Sequence, residues 1–275
     1  MIGGRAPLAT QNWKYVVLFA SIAILLIAVT LISPIPQNEN YHHFADTRTF
    51  GSIPNSLNVL SNILFLVVGL SGIQLVLGGQ KSARAPLFIE SAERWPYFIF
   101  FLGVTLTTFG SGYYHANPSD ARLVWDRLPM TIGFMSLLSA TIDERISVKS
   151  GLRSLVPLLI FGVTSVLYWN FTEEGHHGDL RPYVLVQFGS LVVLLLLVAL
   201  FRPRYTRGAD LIVSLGIYAL SKFLEAADRP IFHLARIVSG HTLKHIAAAI
   251  SAYWIYRMLK LRASIATGSS TQQQI

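Results

Sequence analysis

Four side chains in this 275-residue chain have the types and spacing to hold and use a metal ion. His241 and His245 lie four residues apart in His241-Thr242-Leu243-Lys244-His245, at the start of an apolar stretch. An i, i+4 spacing sets both imidazoles on one helical face, where a single ion can take both. His115 closes a second apolar stretch, and Asp126 opens a third. Ionisable groups inside apolar spans cost roughly 2.5–3.5 kcal/mol each on insertion scales, so their retention points to function. Three histidines and an open fourth position suit zinc, which brings the pKa of bound water to about 7. Asp126 is then placed to orient or deprotonate that water and pass the proton to a leaving group. Ser111 precedes His115 by one turn on the same face, so its hydroxyl can reach the water or a developing oxyanion. Thr242 occupies the position at which the His-Glu-x-x-His metalloprotease motif carries its base, so the base must come from another helix. The competing reading makes these residues interfacial histidines and a carboxylate at a helix N-terminus.

Composition restricts the setting. The chain is 52% hydrophobic and 13% charged, with no cysteine, and its mean hydropathy is +0.50. That is the profile of a membrane protein, and it excludes disulfides, thiolate metal sites and cysteine nucleophiles. The formal charge of +8 fits basic loops facing anionic lipid better than nucleic acid. The expected partners are the bilayer and a lipid substrate, with no nucleic acid; the oligomeric state is left open.

Apolar segments near the ~20 residues needed to cross hydrocarbon fall at 13–32, 55–77, 95–114, 123–142, 153–170, 182–201, 210–224 and 241–259. The fold class expected is an all-α polytopic membrane protein, a seven-transmembrane-helix bundle plus one additional N-terminal transmembrane helix. Residues 1–36 form the N-terminal anchor, 37–262 the seven-helix domain and 263–275 a disordered tail. The first segment is a retained anchor rather than a signal peptide, because no small-residue cleavage site follows it. Eight spans put both termini on one side. That side holds fourteen Lys/Arg and five acids, the other side eight and nine. The positive-inside rule then makes the termini cytoplasmic. All eight histidines fall on the opposite, periplasmic or lumenal, side.

Other polar groups admit two readings each. Asn58, Ser61 and Asn62 on the second segment make interhelical hydrogen bonds, or support the site and its substrate. Lys222, Glu225, Asp228 and Arg229 form a solvated ion-pair cluster, or supply partners to metal-bound imidazoles. Glu39, Asp46 and Asn55 offer oxygen ligands for a hard cation such as calcium, without EF-hand spacing. Glu173, Glu174, His176, His177 and Asp179 read as a polar turn.

Together the segments Asn58-x-x-Ser61-Asn62, Gly110-Ser111-x-x-x-His115, Asp126-x-Leu-Pro-Met130 and His241-x-x-x-His245 resemble the alkaline ceramidase family. That family belongs to a superfamily of seven-helix membrane hydrolases that includes the adiponectin-receptor/haemolysin III-like proteins. The likeness covers residues 39–260. It implies zinc on His115, His241 and His245, with Ser111 and Asp126 beside the water. It also implies a calcium site, to which Glu39 corresponds, whereas Asn55 stands where the family has Glu. The additional N-terminal helix departs from the family pattern, and these departures favour a bacterial relative. The activity implied is hydrolysis of the N-acyl amide bond of ceramide-like lipids to a sphingoid base and a fatty acid. A related lipid esterase or phospholipase, and a non-catalytic seven-helix receptor-like protein, are the alternatives.

Overall fold

Long runs of Leu, Ile, Val and Phe between short polar turns leave the backbone one way to satisfy its polar groups in an apolar setting, the helix. The computed structural model describes residues 12–78 and 87–265. Among them the regular structure is helical, and the pairings Phe50–Ile53 and Tyr205–Ser264 are isolated bridges. In chain order the helices are α1 (Asn12–Leu31), α2 (Ser56–Leu60), α3 (Ile63–Gly78), α4 (Arg94–Ala116), α5 (Asp120–Arg145) and α6 (Val148–Glu174). They continue with α7 (Arg181–Val184), α8 (Ser190–Leu200), α9 (Asp210–Ala226), α10 (Asp228–Ala235) and α11 (Gly240–Leu261). A π-helical turn, Leu185–Gly189, joins α7 to α8.

Four helices are long and apolar enough to cross a membrane: Asn12–Leu31, Ser56–Gly78, Val148–Glu174 and Arg181–Leu200. They suggest a membrane protein. The helices between them are more polar for a physical reason. Helix α5 buries Asp126, Arg127, Ser136, Ser139, Asp143 and Glu144, and α11 buries His241, Thr242, Lys244, His245 and Ser251. In a helical bundle such groups turn inward to find partners, which lowers the mean hydropathy of the most central helices. Helix α4 packs along α5 and α3, α5 along α6, and α11 along α9. Helix α1 stays peripheral: it touches α8, and Leu18 is its one buried residue.

The segment expected as one span at 55–77 is a single membrane-length stretch, Ser56–Gly78, with a turn at Ser61-Asn62 between α2 and α3. Ser61 Oγ donates to the Asn58 carbonyl at 3.2 Å, and Asn62 Nδ2 donates to the same carbonyl at 2.7 Å. Side chains that bond to local carbonyls compete with the helical ladder, and the backbone here tightens to i→i+3 bonds, Asn62 N–Val59 O at 3.2 Å and Phe65 N–Asn62 O at 3.0 Å. Helix α10 is an element the hydropathy pattern did not anticipate. At the chain's C-terminal end, residues 263–265 pair with 204–206 through Thr206 N–Ala263 O at 2.8 Å and Ile265 N–Arg204 O at 2.9 Å. The rest of the expected tail, 266–275, lies outside the described residues, as do Arg5, Lys81 and Arg84 of the basic set.

Polar contacts gather at two ends of the bundle. At one, the loop after α1 reaches Glu173 through Gln37, Glu225 through Tyr41, Asp120 through His42 and Asp228 through Ala45. At the other, Tyr97 and Arg262 bond Glu144, Tyr205 bonds Glu93, and Arg145 holds the carbonyls of Phe201 and Gly208. The histidines of interest lie at the first end.

Candidate metal centre

The end of α4 and the start of α11 meet beneath the loop that follows α1. His115, His241 and His245 are buried there, and their ligand nitrogens lie within 4.8 Å of one another. This is the one group of three or more metal-ligating side chains among the described residues. His115 Nε2 and His241 Nε2 stand 2.7 Å apart.

The far nitrogens explain why the near ones converge. His115 Nδ1 donates to the Ser111 carbonyl at 2.6 Å. Ser61 gives its proton to the Asn58 carbonyl, so its oxygen accepts from His245 Nδ1 at 2.8 Å. Both rings then present Nε2 as a bare lone pair, which is how outer partners orient metal ligands. His245 Nε2 is buried and has no hydrogen-bond partner among the described residues. An orphaned acceptor aimed at two other imidazoles fits a metal ion, and the donor set suits zinc, copper, iron or nickel. His241 is held by its backbone: its N–H donates to Asp228 Oδ1 at 2.7 Å, and Asp228 Oδ2 accepts from Ala45 N at 2.8 Å. One carboxylate thus pins the α11 N-terminus and the overlying loop. That loop lays Phe44 against His115 and His241, with ring centroids 5.0 and 4.7 Å away.

Ser111 and Asp126 line one cavity with His245. A close approach of α4 and α5 makes this possible: a Cβ on Gly110 would sit 1.9 Å from the Trp125 carbonyl oxygen. The cavity holds about 910 Å³ of space, its open mouth included, and runs between apolar walls such as Phe65, Phe100, Leu137 and Leu215. A second chamber of about 770 Å³ on the same measure adjoins it, and Asp126, Met130, Lys222 and Lys244 wall both.

The remaining expected residues fall as follows. Ser61 contacts the site directly, whereas Asn58 Oδ1 accepts from Thr242 Oγ1 at 2.8 Å and ties α2 to α11. Asn62 serves the turn between α2 and α3. Of Lys222, Glu225, Asp228 and Arg229, the first two form an ion pair on α9, Asp228 bonds the His241 N–H, and Arg229 is exposed. Glu225 is mostly buried, and binds Lys222, Lys244 at 2.5 Å and the Tyr41 hydroxyl at 3.0 Å. Its cations come from two helices, so spacing along one chain segment did not reveal the enclosure. Glu39 is exposed, and both oxygens of Asp46 are taken by Arg48 at 2.8 and 2.6 Å. Asn55 enters α2 with φ 47° and donates to the His115 carbonyl at 2.9 Å. The Arg48 guanidinium holds the Asp46 carboxyl below the usual range. Glu173 and Asp179 serve the turn: Glu173 accepts from Gln37 N and Trp169 Nε1, and Asp179 pairs with Arg181.

Two residues escaped the sequence reading. Lys244, between the two histidines, is a buried wall of both chambers. Arg127, beside Asp126, is only 5% exposed. A buried cation is visible in sequence only as a charge inside an apolar run, and both were passed over for their neighbours.

Fold and site define an all-helical protein with membrane-length helices and a buried three-histidine group able to hold a metal ion. No family model matches the chain, and no curated protein matches it.

Proposed function

We propose that this protein is a zinc-dependent integral-membrane amidase of the alkaline ceramidase type, cleaving the N-acyl bond of ceramide-like lipids. The observation that carries the reading is the convergence of His115, His241 and His245, with His245 on the wall of an apolar cavity that also presents Asp126 and Ser111. His115, His241 and His245 would hold the ion; when bound it supplies Lewis acidity and a more acidic water.

The chain's own groups do the rest. The apolar cavity receives a long acyl chain and excludes bulk water from the amide. Asp126 on its wall takes the water's proton and returns it to the departing amine, which cannot leave as an anion. The Ser111 hydroxyl donates a hydrogen bond to the carbonyl oxygen as charge builds on it. Lys244 adds a fixed positive charge to the same wall. The finer architecture belongs to the proposal too: seven spans plus an N-terminal anchor, with the termini cytoplasmic and the site facing the periplasm or lumen.

Purified protein incubated with a panel of N-acyl lipids should release fatty acid, and a chelator should stop it. Mass spectrometry of the products separates amidase from esterase. Absence of metal-dependent release from every amide in the panel would overturn the reading.

A further inference from the structure

Asp126 is the acid on the wall of the second chamber, and the cations there outnumber it. Three basic side chains wall the chamber: Arg127, Lys222 and Lys244. The two lysines share Glu225. Arg127 makes no ion pair among the described residues. Its Nη2 donates to Gln37 Oε1 at 2.6 Å, and its Nη1, although buried, has no partner among the described residues. Its charge rests over aromatic faces, with Trp169 and Tyr183 centroids 4.1 and 4.7 Å from the guanidinium carbon. Such faces offset the charge but leave in-plane N–H groups unsatisfied. A buried donor without an acceptor costs free energy, and a guanidinium fork matches carboxylate, sulfonate and phosphate oxygens. Gln187 joins the chamber wall from the π-helical turn, its Nε2 donating to the Tyr218 hydroxyl at 2.6 Å. π-turns of this kind recur at functional sites, where they re-aim a side chain.

We infer that Arg127 forms an oxyanion subsite in this chamber, and that the ceramide-like lipid bound carries an anionic group on its amine half. The inference rests on the amidase reading for the placement of the two halves. The acyl chain lies in the apolar cavity, the amide at Asp126 and Ser111, and the anion at Arg127. Arg127 is a binding residue here and takes no part in bond cleavage.

The test is binding, so that it stands apart from turnover. Full-length, metal-replete protein in detergent is titrated with N-palmitoylglycine and with neutral N-palmitoylethanolamine. The carboxylate should bind about 10- to 100-fold more tightly, the discrimination expected of one charge-assisted contact. Arg127→Gln should abolish the preference, and Arg127→Lys should keep part of it. Should Arg127→Gln fail to fold, the wild-type ratio and the lysine variant decide. Equal affinity for the two lipids, binding of neither, or a preference that survives Arg127→Gln overturns the subsite. Inorganic phosphate competing at the same concentration as the lipid overturns the assignment to a lipid. A clear preference without hydrolysis of either compound would sink the amidase and leave the subsite standing.

Discussion

His245 shows how little a metal ligand owes to its own helix. Its spacing from His241 was readable, but its orientation depends on Ser61 across the bundle, 2.8 Å from Nδ1. Ser61→Ala should therefore lower metal affinity about 10- to 100-fold, the usual loss when an outer partner is removed. Metal content measured against a graded chelator checks this; unchanged retention would remove Ser61 from the site. His241→Ala and His245→Ala should lose the metal outright. Asp126→Asn should keep metal and fold while turnover drops about 100- to 10,000-fold, because an amide cannot accept the proton. Loss of metal in Asp126→Asn with retention in His115→Ala would reverse the roles given to these residues. Their types were legible because a carboxylate or imidazole in an apolar run stands out. Arg127 and Lys244 stood out equally, but their meaning required the chamber they share.

The loop between α1 and α2 shapes the site as much as the helices do. It is fastened by Asp228 at Ala45, by Asn55 at the His115 carbonyl, and internally by the Asp46–Arg48 pair. Because Arg48 lowers the Asp46 pKa, this pair stabilises the fold above the ordinary aspartate range. The contribution fades as pH falls through the lower, folded value. Thermal unfolding of Asp46→Asn and wild type should differ at pH 7 and converge in strong acid. A gap that persists there would show that the effect is not the carboxylate's charge. Where α4 meets α5, Gly110→Ala should push the helices apart, since its Cβ would press on the Trp125 carbonyl. Both stability and metal retention should suffer, as His115 and Asp126 sit on the two helices being separated.

For the molecule as a whole, orientation follows from charge. The side proposed as cytoplasmic has a net of +9 and the opposite side −1, which together restore the chain's +8. Loop basicity sets the orientation of short-loop membrane proteins. The native chain lacks cysteine, so single introduced thiols report cleanly. A cysteine at exposed Ser119, near the histidines, should react with an impermeant reagent in intact cells or spheroplasts. One at exposed Ser150, at the other end, should not. The opposite labelling pattern would invert the orientation without touching the chemistry.

Sequence alone determined the helical class, the membrane-length apolar helices and the three histidines. Each of these is written in local composition: apolar runs, missing cysteine, and costly polar groups within spans. It also placed Ser111 and Asp126 as candidates through their offsets from those runs. Tertiary structure decided what local pattern cannot encode. It enclosed Glu225 between lysines of α9 and α11. It also opened a chamber around Arg127. Partners that meet across a bundle come from distant parts of the chain, so their pairing is a property of packing and not of spacing.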